Sequence, residues 1–93
     1  MPDLSLDIRR GEEAHRVISA SIYKEAFSEI ENRLISQLAV IEITKERAEY
    51  LRQLLVAHRK IRGYLEQVMV TGKMAEEQKS LMQRMKESIK SYY

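Results

Sequence analysis

The feature that most constrains this chain is the near absence of residues that interrupt helices. Pro2 is the only proline, and Gly11, Gly63 and Gly72 are the only glycines among 93 residues. Because proline and glycine are the least favourable residues in a helix interior, most of the chain from residue 11 onward can be helical. The sequence therefore predicts an all-α fold with few interruptions.

Three apolar stripes indicate where the helices lie. The first follows steps of three and four residues over positions 23–41, which keeps its side chains on one helical face. The second alternates steps of three and four from Leu51 to Val68, as a coiled-coil seam does. The third repeats this spacing from Ala75 to Tyr92, with methionine and glutamine among its members. We predict helices over about residues 12–42, 45–70 and 74–91, arranged as a long antiparallel hairpin plus a C-terminal helix, similar to a three-helix bundle.

The ends of these helices have their own signals. Residues 1–10 alternate apolar and polar side chains, which predicts an N-terminal arm outside a single helical domain at 11–93. The segment Ser19-Ala20-Ser21 indicates a kink or a break, because serines compete for backbone hydrogen bonds. The first helix is therefore either one piece or a short helix followed by a long one. Thr44 is expected to cap the second helix, and Gly72 to end it in a left-handed conformation.

Stripes this long on so short a chain favour self-association, since a lone hairpin would leave apolar edges in water. We therefore expect a homo-oligomer held together by helix–helix contacts. Replacing Leu54 or Leu65 by aspartate is expected to disrupt the fold or the assembly. The residues predicted to form the seam are Tyr23, Phe27, Ile30, Leu34, Leu38, Leu51, Leu54, Leu55 and Leu65.

Charge is distributed unevenly along a chain whose net charge is only +2. Residues 11–44 carry six acidic and three basic side chains, whereas residues 45–73 carry seven basic and three acidic ones. This alternation suits pairing between neighbouring helices or between copies of the chain. It also leaves open contact between the second helix and nucleic-acid phosphates. The candidate contacts for that alternative are Arg52, Arg59, Lys60 and Arg62.

The sequence offers little material for catalysis. It has no cysteine, no glycine-rich phosphate loop, no HExxH and no Gly-x-Ser-x-Gly motif. Its two histidines are His15 and His58. His58 lies on the second apolar stripe, where it is either a metal ligand or general base, or a histidine hydrogen-bonded across a helix interface; we favour the second interpretation. We expect no enzyme, no cofactor and no metal site.

Residues 10–18 (RGEEAHRVI) and 23–31 (YKEAFSEIE) form one noteworthy stretch. Residues 46–55 (ERAEYLRQLL), 63–66 (GYLE) and 71–75 (TGKMA) form another. Together they resemble small α-helical proteins that tailed bacteriophages and prophages encode near virion and packaging genes. The resemblance implies a phage setting, in which a phage structural or packaging protein is the expected partner. DNA is the alternative partner, and it is suggested by the basic second helix.

These observations converge on a non-enzymatic, oligomeric phage or prophage protein that acts in virion assembly or DNA packaging through helix–helix association. The alternative is a small nucleic-acid-binding accessory or regulatory protein that uses the basic face of the second helix. No apolar run approaches the length of a membrane span, and nothing near Met1 resembles a signal peptide. We expect the chain in the host cytoplasm or in the virion, with no membrane partner.

Overall fold

A computed structural model of the chain describes residues 3–90, which form three α-helices. The helices are α1 (Leu4–Ser19), α2 (Ser21–Leu38) and α3 (Lys45–Lys90). α1 and α2 follow one another along the antiparallel α3, so one arm of the hairpin is broken and the other is continuous. The described part measures 76 × 25 × 17 Å. The predicted all-α class is thus confirmed; Tyr92, in the third predicted stripe, lies outside the described residues.

The N-terminal arm predicted over residues 1–10 is wrong for the residues that the structure describes. Helix α1 begins at Leu4, because the carboxylate of Asp3 accepts hydrogen bonds from the backbone N–H groups of Ser5 (3.0 Å) and Leu6 (3.3 Å). A side chain that accepts these bonds satisfies donors that the first helical turn leaves unpaired. The alternation of apolar and polar residues here belongs to a helix. Met1 and Pro2 lie outside the described residues.

The predicted break at Ser19-Ala20-Ser21 is confirmed. Ala20 adopts an extended conformation, with φ −64° and ψ 131°, and it separates α1 from α2. Its backbone N–H still donates to the carbonyl oxygens of Arg16 (3.1 Å) and Val17 (3.2 Å), which closes the last turn of α1. The first arm is therefore a short helix followed by a second one. Helix α2 ends at Leu38 rather than near residue 42.

Thr44 caps the returning helix, as the sequence predicts. Its Oγ1 accepts a hydrogen bond of 3.1 Å from the backbone N–H of Arg47, and α3 begins at the next residue, Lys45. Glu46 lies in the first turn, where its negative charge interacts favourably with the positive end of the helix dipole. The cap fixes the point at which the hairpin turns back on itself.

The predicted end of this helix at Gly72 is wrong. Helix α3 continues without interruption to Lys90, so the separate helices predicted over 45–70 and 74–91 are one. Gly72 does not take the left-handed conformation of a helix end, since no described glycine has a positive φ. It is buried in the helix interior. The reason for a glycine at this position lies in the packing of α1.

Helices α1 and α3 cross at two glycines. A Cβ atom placed on Gly11 would lie 2.9 Å from the Cα of Gly72, and a Cβ on Gly72 would lie 2.9 Å from the Cα of Gly11. Real side chains do not approach a backbone atom so closely, so this contact requires glycine on both helices. Ala14 and Ala75, each three residues further along, are also buried. The two backbones therefore touch almost directly.

The α2–α3 half is packed differently, by large side chains. Leu51 of α3 is 2% exposed and Leu34 of α2 is 9% exposed, and both lie where these helices meet. With Ala14 and Ala75 they are the only buried apolar side chains in the described part of the chain. Such a small core leaves a monomer marginally stable. Many large apolar side chains meanwhile remain exposed.

Candidate association surface

An aromatic cluster holds α2 against α3. The rings of Phe27 and His58 stack with centroids 4.0 Å apart, and the guanidinium group of Arg62 lies 4.9 Å from the centroid of the Phe27 ring. The Nε2 of His58 lies 3.1 Å from the backbone carbonyl oxygen of Phe27. Because a carbonyl oxygen only accepts, Nε2 carries the proton and donates. His58 is thus hydrogen-bonded across a helix interface, the interpretation that the sequence favours.

Most of the residues predicted for the seam pack within one chain. Leu51 and Leu34 are buried, and five others are half-buried between α3 and the other arm. Since Leu51 is already covered inside the monomer, it is not available to a second chain. Two members of the predicted seam remain exposed, namely Ile30 at 49% and Leu54 at 38%. The five half-buried members are Tyr23, Phe27, Leu38, Leu55 and Leu65.

An uncovered apolar row runs along the side of α3. We call it the lateral stripe, and it consists of Tyr50, Leu54, Ala57, Ile61 and Tyr64, at steps of four, three, four and three residues. All five are exposed, Ile61 by 63% and Tyr64 by 58%. This is the spacing of a helix–helix seam, yet the row stays largely uncovered. Helix α1 reaches its end, where Arg10 donates a hydrogen bond of 3.0 Å to the Tyr64 hydroxyl. The lateral stripe is the candidate association surface.

Helix α2 extends this surface on the same side of the hairpin. Ile61 lies three residues after the interface residue His58, and Ile30 lies three residues after the interface residue Phe27. Each isoleucine is therefore turned by about 60° around its own helix axis from the line where α2 and α3 meet. Because the two helices run in opposite directions, the same turn places both side chains on the same side of the hairpin. Ile30, which is 49% exposed, thus lies on the side of the lateral stripe.

The same spacing continues towards the end of α3. Val68, Thr71 and Ala75 follow in register where α1 packs, and Gln78, Met82, Met85 and Ile89 come after them. The last three are exposed by 45%, 57% and 57%. The sequence contains a signal for this continuity. Val68 and Ala75 are seven residues apart, so the second and third predicted stripes share one heptad register, as a single helix requires.

The basic residues proposed for nucleic-acid contact are largely paired with acidic ones. Arg59 contacts Glu31 of α2 at 2.8 Å, and Arg62 contacts Glu66 at 3.0 Å along its own helix. Arg52 is 3.6 Å from Glu49. Of the four candidates, only Lys60 has no ion-pair partner between residues 3 and 90. Within the described part of the chain, only the Arg59–Glu31 pair joins two helices, so the acidic first arm neutralises little of the basic one.

Among residues 3–90, no three or more histidine or acidic side chains are grouped so that they could hold a metal ion. None of the helices described there combines the length and the apolar character needed to cross a membrane. The chain has no match among protein-family models, curated proteins or solved structures.

Proposed function

We propose that this chain is a non-enzymatic assembly protein that associates with itself through the lateral stripe. The observation that carries this proposal is an uncovered, regularly spaced apolar row on a chain with four buried apolar side chains in its described part. The resemblance to small helical proteins of tailed phages favours virion assembly or DNA packaging as the setting. In that setting, self-association would build the surface that a virion or packaging protein recognises.

The uncovered part of the row gives a modest contact area. The lateral stripe from Tyr50 to Tyr64 spans 15 residues of α3, which is about 22 Å at the rise of an α-helix. A contact of that length and about 10 Å in width would bury roughly 200 Å² on each chain, which is less than a specific protein interface buries. Exposed apolar side chains outside the stripe add to this area, namely Ile30 of α2 and, beyond the part of α3 that α1 covers, Met85 and Ile89.

A second copy is the partner that the chemistry favours. The five residues of the lateral stripe carry no charge, so nothing in it repels an identical surface. Tyrosine and isoleucine provide large apolar areas for a two-fold contact, in which the same patch of each chain meets its copy. Nucleic-acid binding has less support, because three of the four basic candidates are already ion-paired.

The test is the solution mass of the full chain by light scattering after size exclusion, at low and moderate salt. Wild-type protein is expected to elute as an oligomer, and Ile61→Asp to raise the dissociation constant at least about a hundredfold, because a charge would be buried in the contact. Ile35→Asp is the matched control, since Ile35 is 44% exposed but lies outside the stripe. Equal masses for the two variants would contradict the proposed surface.

A further inference from the structure

The turn between α2 and α3 places a large apolar side chain in water. Ile41 is 98% exposed, and the adjacent Val40 is 54% exposed. The sequence predicts Ile41 as the last member of the first helical stripe, yet α2 ends three residues before it, at Leu38. An isoleucine side chain stabilises a fold when it is buried away from water. The hairpin therefore leaves one apolar position of its own pattern unused.

The spacing of the inward-facing residues continues through this turn without a shift. Every seventh residue from 27 to 55 is apolar, and all of them except the one in the turn are buried or half-buried. The series consists of Phe27, Leu34, Ile41, Ala48 and Leu55. Two helices that a turn separates have no need to share a seven-residue register, whereas a continuous helix with one packed face requires it. The series thus indicates that α2 and α3 can join into a single helix through Ile41.

The backbone of the turn contains nothing that forbids a helix. Residues 39–44 include no glycine and no proline, and no described residue has a positive φ. Ala39 keeps a helical conformation, with φ −80° and ψ −2°, and its backbone N–H donates to the carbonyl oxygen of Ile35 at 3.0 Å, as in an α-helix. Helices commonly end at glycine or asparagine in a left-handed conformation. Here the chain reverses direction at residues that also fit a helix.

We propose that the hairpin opens at this turn and that two copies exchange arms, so that α1 and α2 of each chain pack on α3 of the other. Residues 21–90 then form one continuous helix in each chain. The contacts that hold the hairpin, among them Gly11 against Gly72, are re-formed between chains, which makes such an exchange a low-cost route to a dimer. The exchange uses a different surface from the lateral stripe and does not depend on it.

The contacts between α2 and α3 determine the register of the exchanged dimer. The Phe27 ring stacks on His58, and Gln37 accepts a hydrogen bond of 3.0 Å from Arg47. Both pairs are centred on about residue 42, so a two-fold axis at that point reproduces them between two antiparallel chains. The same axis brings Ile41 opposite the partner's Thr44. Ile41 is then covered, twice in every dimer.

The balance between hairpin and dimer depends on concentration. Burial of Ile41 favours the dimer, whereas the hairpin keeps the Thr44 cap of α3, which a continuous helix loses. Because the dimer forms from two chains, higher protein concentration shifts the balance towards it. Exchange requires that α2 separates from α3, so each form is expected to convert slowly into the other.

The exchange produces a long rod with two equivalent lobes. From its centre near residue 42, each α3 extends about 48 residues, or about 72 Å, so the dimer is about 140 Å long. The hairpin measures 76 Å along the same direction. Each lobe has the packing of one hairpin and carries one lateral stripe. A rod with two stripes binds other copies through two sites at once, which raises its apparent affinity for them.

The first experiment measures sedimentation of the full chain after refolding from urea at low and high protein concentration. In the Ile61→Asp background, which weakens the lateral stripe, a dimer is expected to form at high concentration and to dissociate slowly on dilution. Adding Ile41→Asp is expected to lower its association constant at least about tenfold, because the charge would be buried in the dimer but exposed in the hairpin. Ile22→Asp is the matched control, since Ile22 is 71% exposed and lies outside the seven-residue series.

The outcomes distinguish the exchange from the lateral stripe. An Ile61→Asp chain that stays monomeric after refolding at every concentration would overturn the exchange and leave the stripe supported. Association that Ile41→Asp weakens and Ile61→Asp does not would support the exchange and overturn the stripe. Equal effects of Ile41→Asp and Ile22→Asp would overturn the exchange. A wild-type chain that never associates would overturn both.

Deletion of the turn tests whether the two helices can be continuous. Removing residues 39–45 leaves no turn to close a hairpin but keeps the seven-residue register of the joined helix. This variant is expected to be a helical dimer at every concentration measured. Removing residues 39–44 is the control, because one residue fewer turns the packed face of α3 by about 100° relative to that of α2. A seven-residue deletion with no more helical circular dichroism than the six-residue deletion would overturn the exchange.

Cross-linking tests the contact between chains directly. The chain has no cysteine, so Gln37→Cys and Arg47→Cys each introduce a single thiol. The two variants, each also carrying Ile61→Asp, are unfolded together in urea, refolded at high concentration and treated with a short bismaleimide. Covalent heterodimers are expected, whereas each variant refolded alone should give few dimers, because equal positions lie roughly 15 Å apart along the rod. A mixture that gives no more covalent dimer than either variant alone would overturn the exchange.

Discussion

The two halves of the hairpin use opposite ways of packing helices. In the α1–α3 half the contact lies between backbones, with Gly11 against Gly72 and with Ala14 and Ala75 buried beside them. In the α2–α3 half the contact lies between large side chains, where the Phe27 ring stacks on His58 and Leu51 is covered. Both halves use the same helix, α3.

The difference shows where the chain gains specificity and where it leaves surface for partners. A backbone contact buries little apolar area, but it tolerates no added atom and so fixes the register of α1 on α3. Large side chains pack α2 against α3 and leave apolar flanks uncovered, among them Ile30 and Leu54. The tight half therefore determines alignment, and the looser half presents most of the lateral stripe.

The largest expected effect comes from adding one methyl group to the tight half. Gly11→Ala is expected to lower the free energy of unfolding by about 1–2 kcal/mol, because the new Cβ would overlap the Gly72 backbone and force the helices apart. The measurement is urea denaturation in dilute solution. A loss of stability would show that the overlap of the new methyl group with the Gly72 backbone outweighs the better helix propensity of alanine.

Gly63→Ala is the matched control for this substitution. It adds the same methyl group to a helix interior where nothing lies within 4 Å. In dilute protein, where a second copy is not bound, it is expected to raise the free energy of unfolding by about 1 kcal/mol. Changes of the same sign at both positions would contradict the distinction between a packed and an unpacked glycine.

A smaller effect is expected from a hydroxyl group in the α2–α3 half. The Tyr23 hydroxyl is buried and has no hydrogen-bond partner in the described part of the chain. Tyr23→Phe is therefore expected to raise the free energy of unfolding by about 1 kcal/mol, since an unpaired buried polar group is removed. Tyr64→Phe is the control, because the Tyr64 hydroxyl accepts a hydrogen bond of 3.0 Å from Arg10. Destabilisation by Tyr23→Phe would mean that this hydroxyl has found a partner.

The all-helical class, the break at Ala20 and the cap at Thr44 could be predicted from sequence because each depends on local chemistry. The roles of Gly11 and Gly72 could not. A glycine that permits a close helix contact has the same sequence signature as one that ends a helix, and only the position of the other helix distinguishes them. The interpretation of Gly72 as a helix end divided α3 into two predicted helices, whereas the predicted arm came from the apolar–polar alternation of residues 1–10.

The candidate surface was only partly predictable for a similar reason. The seam from Leu51 to Val68 is a real apolar face, but it is broader than one partner helix can cover. The spacing of apolar residues does not indicate which edge of that face the other helices of the chain will cover. Helix α2 covers Leu51 and Leu55 and leaves Leu54 exposed, because its aromatic side chains contact α3 around His58. The exposed edge can be identified only when the positions of both arms are known.

The smallest expected effect concerns Arg59–Glu31, the one ion pair that joins the two arms among residues 3–90. Arg59 and Glu31 lie 2.8 Å apart, with side chains 58% and 25% exposed. A double-mutant cycle with Arg59→Ala and Glu31→Ala is expected to give a coupling energy of about 0.5 kcal/mol, because water screens exposed charges. The pair Arg33–Glu29, within α2, is the control, and both values should fall as salt increases. A coupling above about 1.5 kcal/mol for Arg59–Glu31 alone would contradict this account, since charge would then hold the looser half together more than the Phe27–His58 stack does.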